Sequence, residues 1–501
     1  MKKTLDVIIA SLIAVGFIVF LIFLGTKADL GFDPCYNLLS YQNLFEGKGF
    51  VYDYDGRYLP FDPAISTGPE LYLPVFIIWK IIGHADYYVS VYVVIAYYAA
   101  FLGILLFYVL KTSKTKTVSI LAFIFLLLCN KKIFGNYLIV VPLGEIIACF
   151  YFFAGIYLLS KRNLLLGFIL LGLALDVKYN IIVALVPTVI IFLFLEFIIP
   201  KIKEKNLKET SKIVLKLTML SFIIFIPCLT YFKIIPEVAL NPREKTILHA
   251  AQKEKVHYVK NRAFGQIKAL KKNFNREGFN RFISQTREKF ITLKSWFNQS
   301  YFLLALFGIL LIALTVFSYY QKHFSFYFFI FSVFIATWWL LCPVDAWYRY
   351  FSTAEWMFSF GIVALIPLLM KKKNRIASVC ISLAVLMLFV PQFSFTAIKN
   401  NFDETAKENL MMMKNYIQDI DEKNIFVYDW FQCPQLMLLT NKRFQDYKNE
   451  EKLLKAGQEG REIFFLTTKE NIHWINDEME KVTKNFELIK AYEPNRLYRI
   501  R

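Results

Sequence analysis

The sequence predicts a helical membrane protein that crosses the bilayer many times and ends in a small α/β domain. Three observations carry that prediction. Hydrophobic residues make up 57% of the 501, and the mean hydropathy is +0.44, well above the usual globular mix. Apolar runs of about 20 residues recur along the chain, long enough to cross hydrocarbon as helices. Beyond residue 393 those runs stop and charged residues return.

Apolar length predicts about eleven spanning helices, near 5–26, 87–110, 117–134, 142–160, 163–178, 180–199, 213–232, 300–320, 324–341, 353–370 and 376–393. The runs at 117–134 and 163–178 are short for a full span. The first run follows Met1-Lys2-Lys3 and has no small-x-small site behind it, so it reads as a retained helix rather than a cleaved signal.

The net charge of +19 does not point to nucleic acid. Much of it stands in short loops, where Lys and Arg fix orientation. Lys2, Lys3, Lys111, Lys114, Lys116, Lys161, Arg162, the 201–212 lysines and Lys371–Arg375 all fall on one side, which is then the cytoplasm. That leaves the N-terminus cytoplasmic and, with an odd count, the C-terminus extracytoplasmic. Lys131 and Lys132 fall on the outer side, against the rule.

Two outer segments and one terminal region do not span. The loop 27–86 is rich in Gly, Pro, Asp and Tyr, which favour turns. It closes on Leu71–Gly83, an apolar stretch too short to cross that belongs in the outer interface. In segment 236–298, Lys and Arg outnumber Asp and Glu. Phe279, Phe282, Ile283, Phe290 and Leu293 recur there near helical spacing, the pattern of an amphipathic helix in the headgroup layer or of a solvated basic loop. Residues 1–393, with these loops, form one domain. Residues 394–501 form the other. There, strands at Asn424–Tyr428, Glu462–Leu466, Phe486–Tyr492 and Leu497–Ile500 alternate with helices at Glu404–Asp419 and Asn471–Lys484, an α/β pattern.

Seven cysteines, among them Cys129, Cys149, Cys228 and Cys380 in apolar runs, form no spaced framework and read as buried thiols. No CxxC or HExxH spacing occurs.

Acidic residues at the outer ends of apolar runs are the strongest chemical signal. Asp33 follows the first run in Gly31-Phe32-Asp33-Pro34-Cys35-Tyr36, and Glu145 opens a later run in Pro142-Leu143-Gly144-Glu145. Carboxylates at a membrane boundary are costly to desolvate and mark function. Each also has a plain structural reading. Asp-Pro starts turns, and a carboxylate suits a helix N-terminus. Lys178 stands at the outer end of another run, as a phosphate contact or as a snorkelling lysine paired with Asp176. Those two positions, two apart, do not share a helix face. Arg349 lies among Trp347, Tyr348 and Tyr350, with Asp345 nearby to neutralise it. Its planar fork can grip two phosphate oxygens, or it snorkels to the interface. Asp62 and Glu70, flanking Thr67-Gly68-Pro69, read as loop carboxylates on a solvated face.

These motifs resemble the C-type (GT-C) glycosyltransferases, which include the protein O-mannosyltransferases and the lipid A aminoarabinose transferases. The matching stretches are Asp33-Pro34-Cys35-Tyr36, Asn43–Phe50, Phe61–Pro69 leading into a short juxtamembrane helix, Gly144-Glu145, Gly172–Tyr179 and Trp347-Tyr348-Arg349-Tyr350, in family order over about residues 1–370. The resemblance implies a sugar donor on a polyprenyl phosphate and a glycan, lipid or protein acceptor at the outer face. It implies Asp33 as general base, Glu145 in support, and Arg349 with Lys178 on the phosphate. Tyr36 and Tyr350 are carried over as substrate-binding residues. A Phe- and Lys-rich composition fits an AT-rich bacterium, which favours undecaprenyl phosphate and the inner (plasma) membrane, whereas an archaeal or eukaryotic source would point to dolichol. Some relatives place a divalent ion between Asp33 and Glu145, but transferases using monosaccharide-phosphate lipids often need none, so no metal or other cofactor is expected. The rival readings are a flippase or transporter of lipid-linked sugar, which calls for midplane charges and repeats with broken helices, and a non-catalytic membrane scaffold.

Overall fold

The computed structural model describes residues 2–27, 30–54, 57–60, 68–112, 116–128, 142–204, 207–229, 276–297, 300–341, 348–371, 374–392, 405–428, 433–446, 455–456, 458–468, 486–492 and 495–500. Cys129, Asp62, Thr67, Lys131, Lys132, Asp345, Trp347, residues 236–275 and the helix expected at Asn471–Lys484 lie outside them.

The chain opens with α1 (Lys2–Lys27), α2 (Phe32–Phe45), a hairpin of β1 (Val51–Tyr54) and β2 (Arg57–Pro60), and α3 (Leu73–Ile82). The helices α4 (Tyr87–Thr112), α5 (Lys116–Leu128), α6 (Glu145–Ser160), α7 (Leu164–Val177), α8 (Ile182–Leu193) and α9 (Leu207–Ser221) follow. After them come α10 (Arg276–Trp296), α11 (Tyr301–Tyr320), α12 (Phe326–Leu341), α13 (Tyr348–Leu369) and α14 (Arg375–Phe389). A helix stands at each of the eleven apolar runs. Five helical stretches among the described residues are long and apolar enough to cross a membrane: Thr4–Thr26, Tyr87–Ile104, Tyr179–Lys203, Tyr301–Tyr320 and Phe351–Leu369. Shorter apolar helices stand at Thr117–Leu126, Glu145–Ser160, Leu164–Val177, Phe326–Leu341 and Arg375–Phe389.

The bundle centre is aromatic. Phe101 of α4 stacks on Phe150 of α6 at 4.0 Å and on Phe360 of α13 at 4.8 Å. Such pairs add about 0.5–1.5 kcal/mol beyond burial. Between helices already in lipid, packing of this kind carries association, because leaving water no longer drives it. α6 and α13 run parallel, since Cys149 meets the Thr353 carbonyl at 3.9 Å and, further along both helices, Phe153 meets Phe360. Glu145 and Arg349, each four residues before its contact, therefore stand at the same end of the bundle.

α10 is a helix, as its periodicity predicts, but it docks on a different face. Leu293 is buried, while Ile283 and Phe290 are exposed. Lys289 is also buried, donating to the Trp339 carbonyl at 2.7 Å, and Trp296 packs on Trp339 at 5.0 Å. The lysine stem fills the groove and the ammonium caps the C-terminal end of α12, where carbonyls lack helical partners.

The terminal region forms α15 (Thr405–Ile417), β3 (Ile425–Tyr428), α16 (Pro434–Thr440), β4 (Gln445–Asp446), β5 (Ile463–Thr468), β6 (Phe486–Tyr492) and β7 (Asn495–Ile500). The sheet order is β4-β3-β5-β7-β6, with β4, β3 and β5 parallel and β7 antiparallel to both its neighbours. The sequence gives no strand signal for the two-residue β4 and none for the seven-residue α16, both too short for periodicity to register.

In the turn between α11 and α12, His323 Nδ1 lies 2.8 Å from Ser325 Oγ and Nε2 lies 3.5 Å from Tyr108 Oη. Burial, then the nearby Lys371 charge, lowers its pKa to about 4. An unfolded His titrates near 6.5, so between these values the unfolded chain binds more protons. Stability is full above about pH 6.5 and is lost as pH falls towards 4. Thermal unfolding of purified protein is expected to show that loss, and His323→Gln is expected to flatten it.

Candidate active site

Four segments meet at one end of the bundle, and glycine makes two of the close approaches. Gly68 donates its N–H to the Val177 carbonyl at 3.0 Å. A Cβ there would fall 1.5 Å from the Asp176 carbonyl oxygen, so no other residue lets the loop before α3 lie against the end of α7. Gly144 takes φ +89°, a left-handed backbone that glycine adopts freely. That turn ends the approach to α6 and sets Glu145 as its first helical residue.

Glu145 and Lys178 are both buried, and Lys178 Nζ lies 2.8 Å from Glu145 Oε1. The ammonium also donates to the Leu143 carbonyl at 3.0 Å. Lys178 leaves α7 with φ −151° and ψ 103°. This extended residue carries the side chain to the start of α6, where Glu145 is a partner the sequence did not offer. Asp176, also buried, accepts from the Tyr179 hydroxyl at 3.2 Å. The helix N-terminus further favours the Glu145 carboxylate.

Asp33 lies in the first turn of α2, half-buried. Tyr36 follows three residues later on the same helix face. It is buried, and its ring packs on Tyr52 of β1 at 4.1 Å. One turn beyond Asp33, the buried Asn37 donates to Tyr72 Oη at 3.4 Å, and that hydroxyl donates to the Pro142 carbonyl at 2.5 Å. Tyr72 thus ties the Asp33 end of α2 to the segment that delivers Glu145. Burial, then the Asp176, Tyr72 and Glu70 groups facing it, holds the Tyr41 phenol well above its ordinary pKa.

Glu70 departs from the solvated carboxylate expected of it. It is half-buried in a 3-10 turn, and the Tyr151 hydroxyl donates to its Oε1 at 3.4 Å. Tyr151 lies 3.3 Å from the Tyr97 hydroxyl. Burial raises the Glu70 pKa, and the Tyr151 hydrogen bond only partly offsets it. Arg349 and Tyr350 stand in the first turn of α13, and their side chains lie outside the described residues.

Asn37, Tyr72 and Tyr41 were missing from the sequence reading. Asn37 and Tyr41 follow Asp33 at steps of four, a helical stripe that could have exposed both. Tyr72 left no such signal, because its partners lie 35 and 70 residues away. Among the described residues, no three His, Cys, Asp or Glu side chains gather as a cation site. Glu145 is engaged with Lys178.

No protein-family model and no curated protein sequence matches the chain. The fold does match. ArnT from Cupriavidus metallidurans in the apo state superimposes with a TM-score of 0.55 at 9% identity, covering 97% of this chain and 98% of that one. The same protein bound to undecaprenyl phosphate gives 0.58 at 9% identity, covering 98% and 97%. A fainter likeness, TM-score 0.47 at 12% identity over 93% of this chain and 68% of the other, is to the Archaeoglobus fulgidus oligosaccharyltransferase. The chain shares the fold of ArnT over nearly its whole length.

Removing one partner of a buried ion pair leaves an uncompensated charge at a cost of about 3–5 kcal/mol. Lys178→Met is expected to lower the unfolding temperature sharply, and adding Glu145→Gln to recover most of the loss. For Glu70 the folded carboxyl titrates above its unfolded value. Ionisation therefore costs nothing below the ordinary carboxylate pKa, and the cost grows as pH rises through the folded value. Glu70→Gln is expected to stabilise the protein more at about pH 8 than at about pH 4.5, measured by thermal unfolding.

Proposed function

We propose that the protein is a membrane glycosyltransferase that moves a sugar from a polyprenyl-phosphate carrier to a hydroxyl acceptor at the outer membrane face. The observation that carries this reading is the buried Lys178–Glu145 pair at the bundle end where Asp33 and the start of α13 also lie. The GT-C fold shared with a protein crystallised with undecaprenyl phosphate supports it. All eleven apolar helices cross the membrane, six of them as short or tilted spans. The basic loops face the cytoplasm, and the α/β domain of residues 394–501 stands outside with the site.

The chemistry follows from the groups at hand. Asp33 accepts the acceptor's hydroxyl proton as the new bond to the anomeric carbon forms. The bond from that carbon to the phosphate oxygen breaks with inversion, and its electrons leave on polyprenyl phosphate. Arg349 grips the departing phosphate with two donors. Lys178 adds charge, most effective out of bulk water, and Glu145 keeps that ammonium aimed until the phosphate arrives. Lipid delivers the donor through the apolar bundle, and the outer aqueous side delivers the acceptor.

The test uses purified protein in nanodiscs with a panel of polyprenyl-phosphate sugars and membrane extract, following release of polyprenyl phosphate. Wild type is expected to release it, and Asp33→Asn to lose on the order of 10²-fold or more, the scale of a general base. Passage of labelled lipid across the bilayer in both variants, with no release from any donor, would sink the enzyme reading.

A further inference from the structure

The outer α/β domain holds α2 by a buried side chain. Arg443, in the link between α16 and β4, is buried, and its Nη2 donates to Asn43 Oδ1 at 2.8 Å. Asn43 is wholly buried in the last turn of α2, and its Nδ2 donates to the Val51 carbonyl of β1 at 2.8 Å. The Arg443 N–H in turn donates to Glu422 Oε2 at 2.8 Å, which seats the residue in its own domain. Beside it, Gln42 Nε2 donates to Asn441 Oδ1 at 3.4 Å. On the neighbouring helix, Lys407 of α15 donates to the Thr26 carbonyl near the end of α1 at 2.7 Å.

These contacts have a direction. The guanidinium meets α2 at its C-terminal end, where the helix dipole favours a cation. Asp33 lies at the other end of the same helix, ten residues away, or about 15 Å along its axis. A helix of that length moves as a unit, so fixing Asn43 fixes the depth and rotation of Asp33. The Asn43–Val51 bond carries the same constraint to β1, whose Tyr52 supports Tyr36.

We propose that Arg443 is a positioning residue of the transfer reaction, acting through Asn43 to set where Asp33 meets the acceptor. The assignment rests on the function proposed above. It gives the outer domain a role in catalysis without contact with the reacting atoms.

The test pairs two readouts on full-length protein in nanodiscs, for Arg443→Lys and Arg443→Ala. Lys keeps the charge and loses the fork, so it remains informative where Ala fails to fold. Hydrogen exchange is expected to rise about tenfold on α2 amides and to stay unchanged on α6, the mark of local rather than global loosening. With the donor found active, kcat is expected to fall about 10–100-fold with KM within about twofold, the cost of a misplaced group rather than of lost binding. Unchanged α2 exchange in the folded variants would overturn the proposal whatever the activity. Raised α2 exchange with KM rising and kcat unaltered would also overturn it, because the domain would then govern binding. Raised α2 exchange in a protein whose wild type turns over no donor would overturn the transferase reading and with it Arg443's role in transfer, leaving a mechanical link alone.

Discussion

A lysine and a glutamate taken out of water together organise this end of the molecule. Neither Glu145 nor Lys178 could stay buried alone, and the local backbone is shaped to make them meet. Gly144 turns the chain so that Glu145 begins α6, and the extended Lys178 carries its side chain off α7. The Leu143 carbonyl takes a second ammonium proton. Because the pair joins two helices at their ends, it also fixes what packs around them. Gly68 lies on the end of α7, and Tyr72 bridges from the Pro142 carbonyl to Asn37 on α2. A polar seam results, set at the rim of a bundle whose interior is aromatic.

That placement suits a reaction between a lipid and a water-borne partner. Hydrocarbon has no groups that could satisfy buried charges, whereas the rim offers a carbonyl to the ammonium and that ammonium to the carboxylate. In the proposed reaction, a phosphate on a lipid would reach this depth with its chain still in the bilayer. Lys178 would not need to be recruited from solvent when it arrives. It is already desolvated, and only its partner changes.

The sequence exposed the parts that depend on local pattern. The eleven apolar runs each hold a helix, and the apolar stretch behind Gly68 is the ten-residue α3. The strand expected at Phe486–Tyr492 stands with the bounds read for it. Asp33, Glu145 and Lys178 were legible because charge at the end of an apolar run is conspicuous. The partnership of Glu145 with Lys178 was not legible, since it depends on one extended residue that breaks the helical register. Tyr72, Asn43 and Arg443 were hidden for a related reason. Their partners come from distant segments, 70 residues apart for Tyr72 and Pro142 and 400 for Asn43 and Arg443. Glu70 was misread because Gly-Pro flanks suggest a solvated loop, while the fold lays that loop against Tyr151.

The central claim is that the Lys178–Glu145 seam is where a lipid phosphate is held. It is tested most directly by photolabelling the protein in nanodiscs with a photoactivatable polyprenyl phosphate and mapping the labelled peptides. The account predicts label on the peptides carrying Lys178 and the first turn of α13, competed away by unlabelled polyprenyl phosphate and lost in Lys178→Met/Glu145→Gln. Label spread over lipid-facing positions such as Leu12 and Ile190, both exposed on the bundle surface, and indifferent to competitor would contradict it.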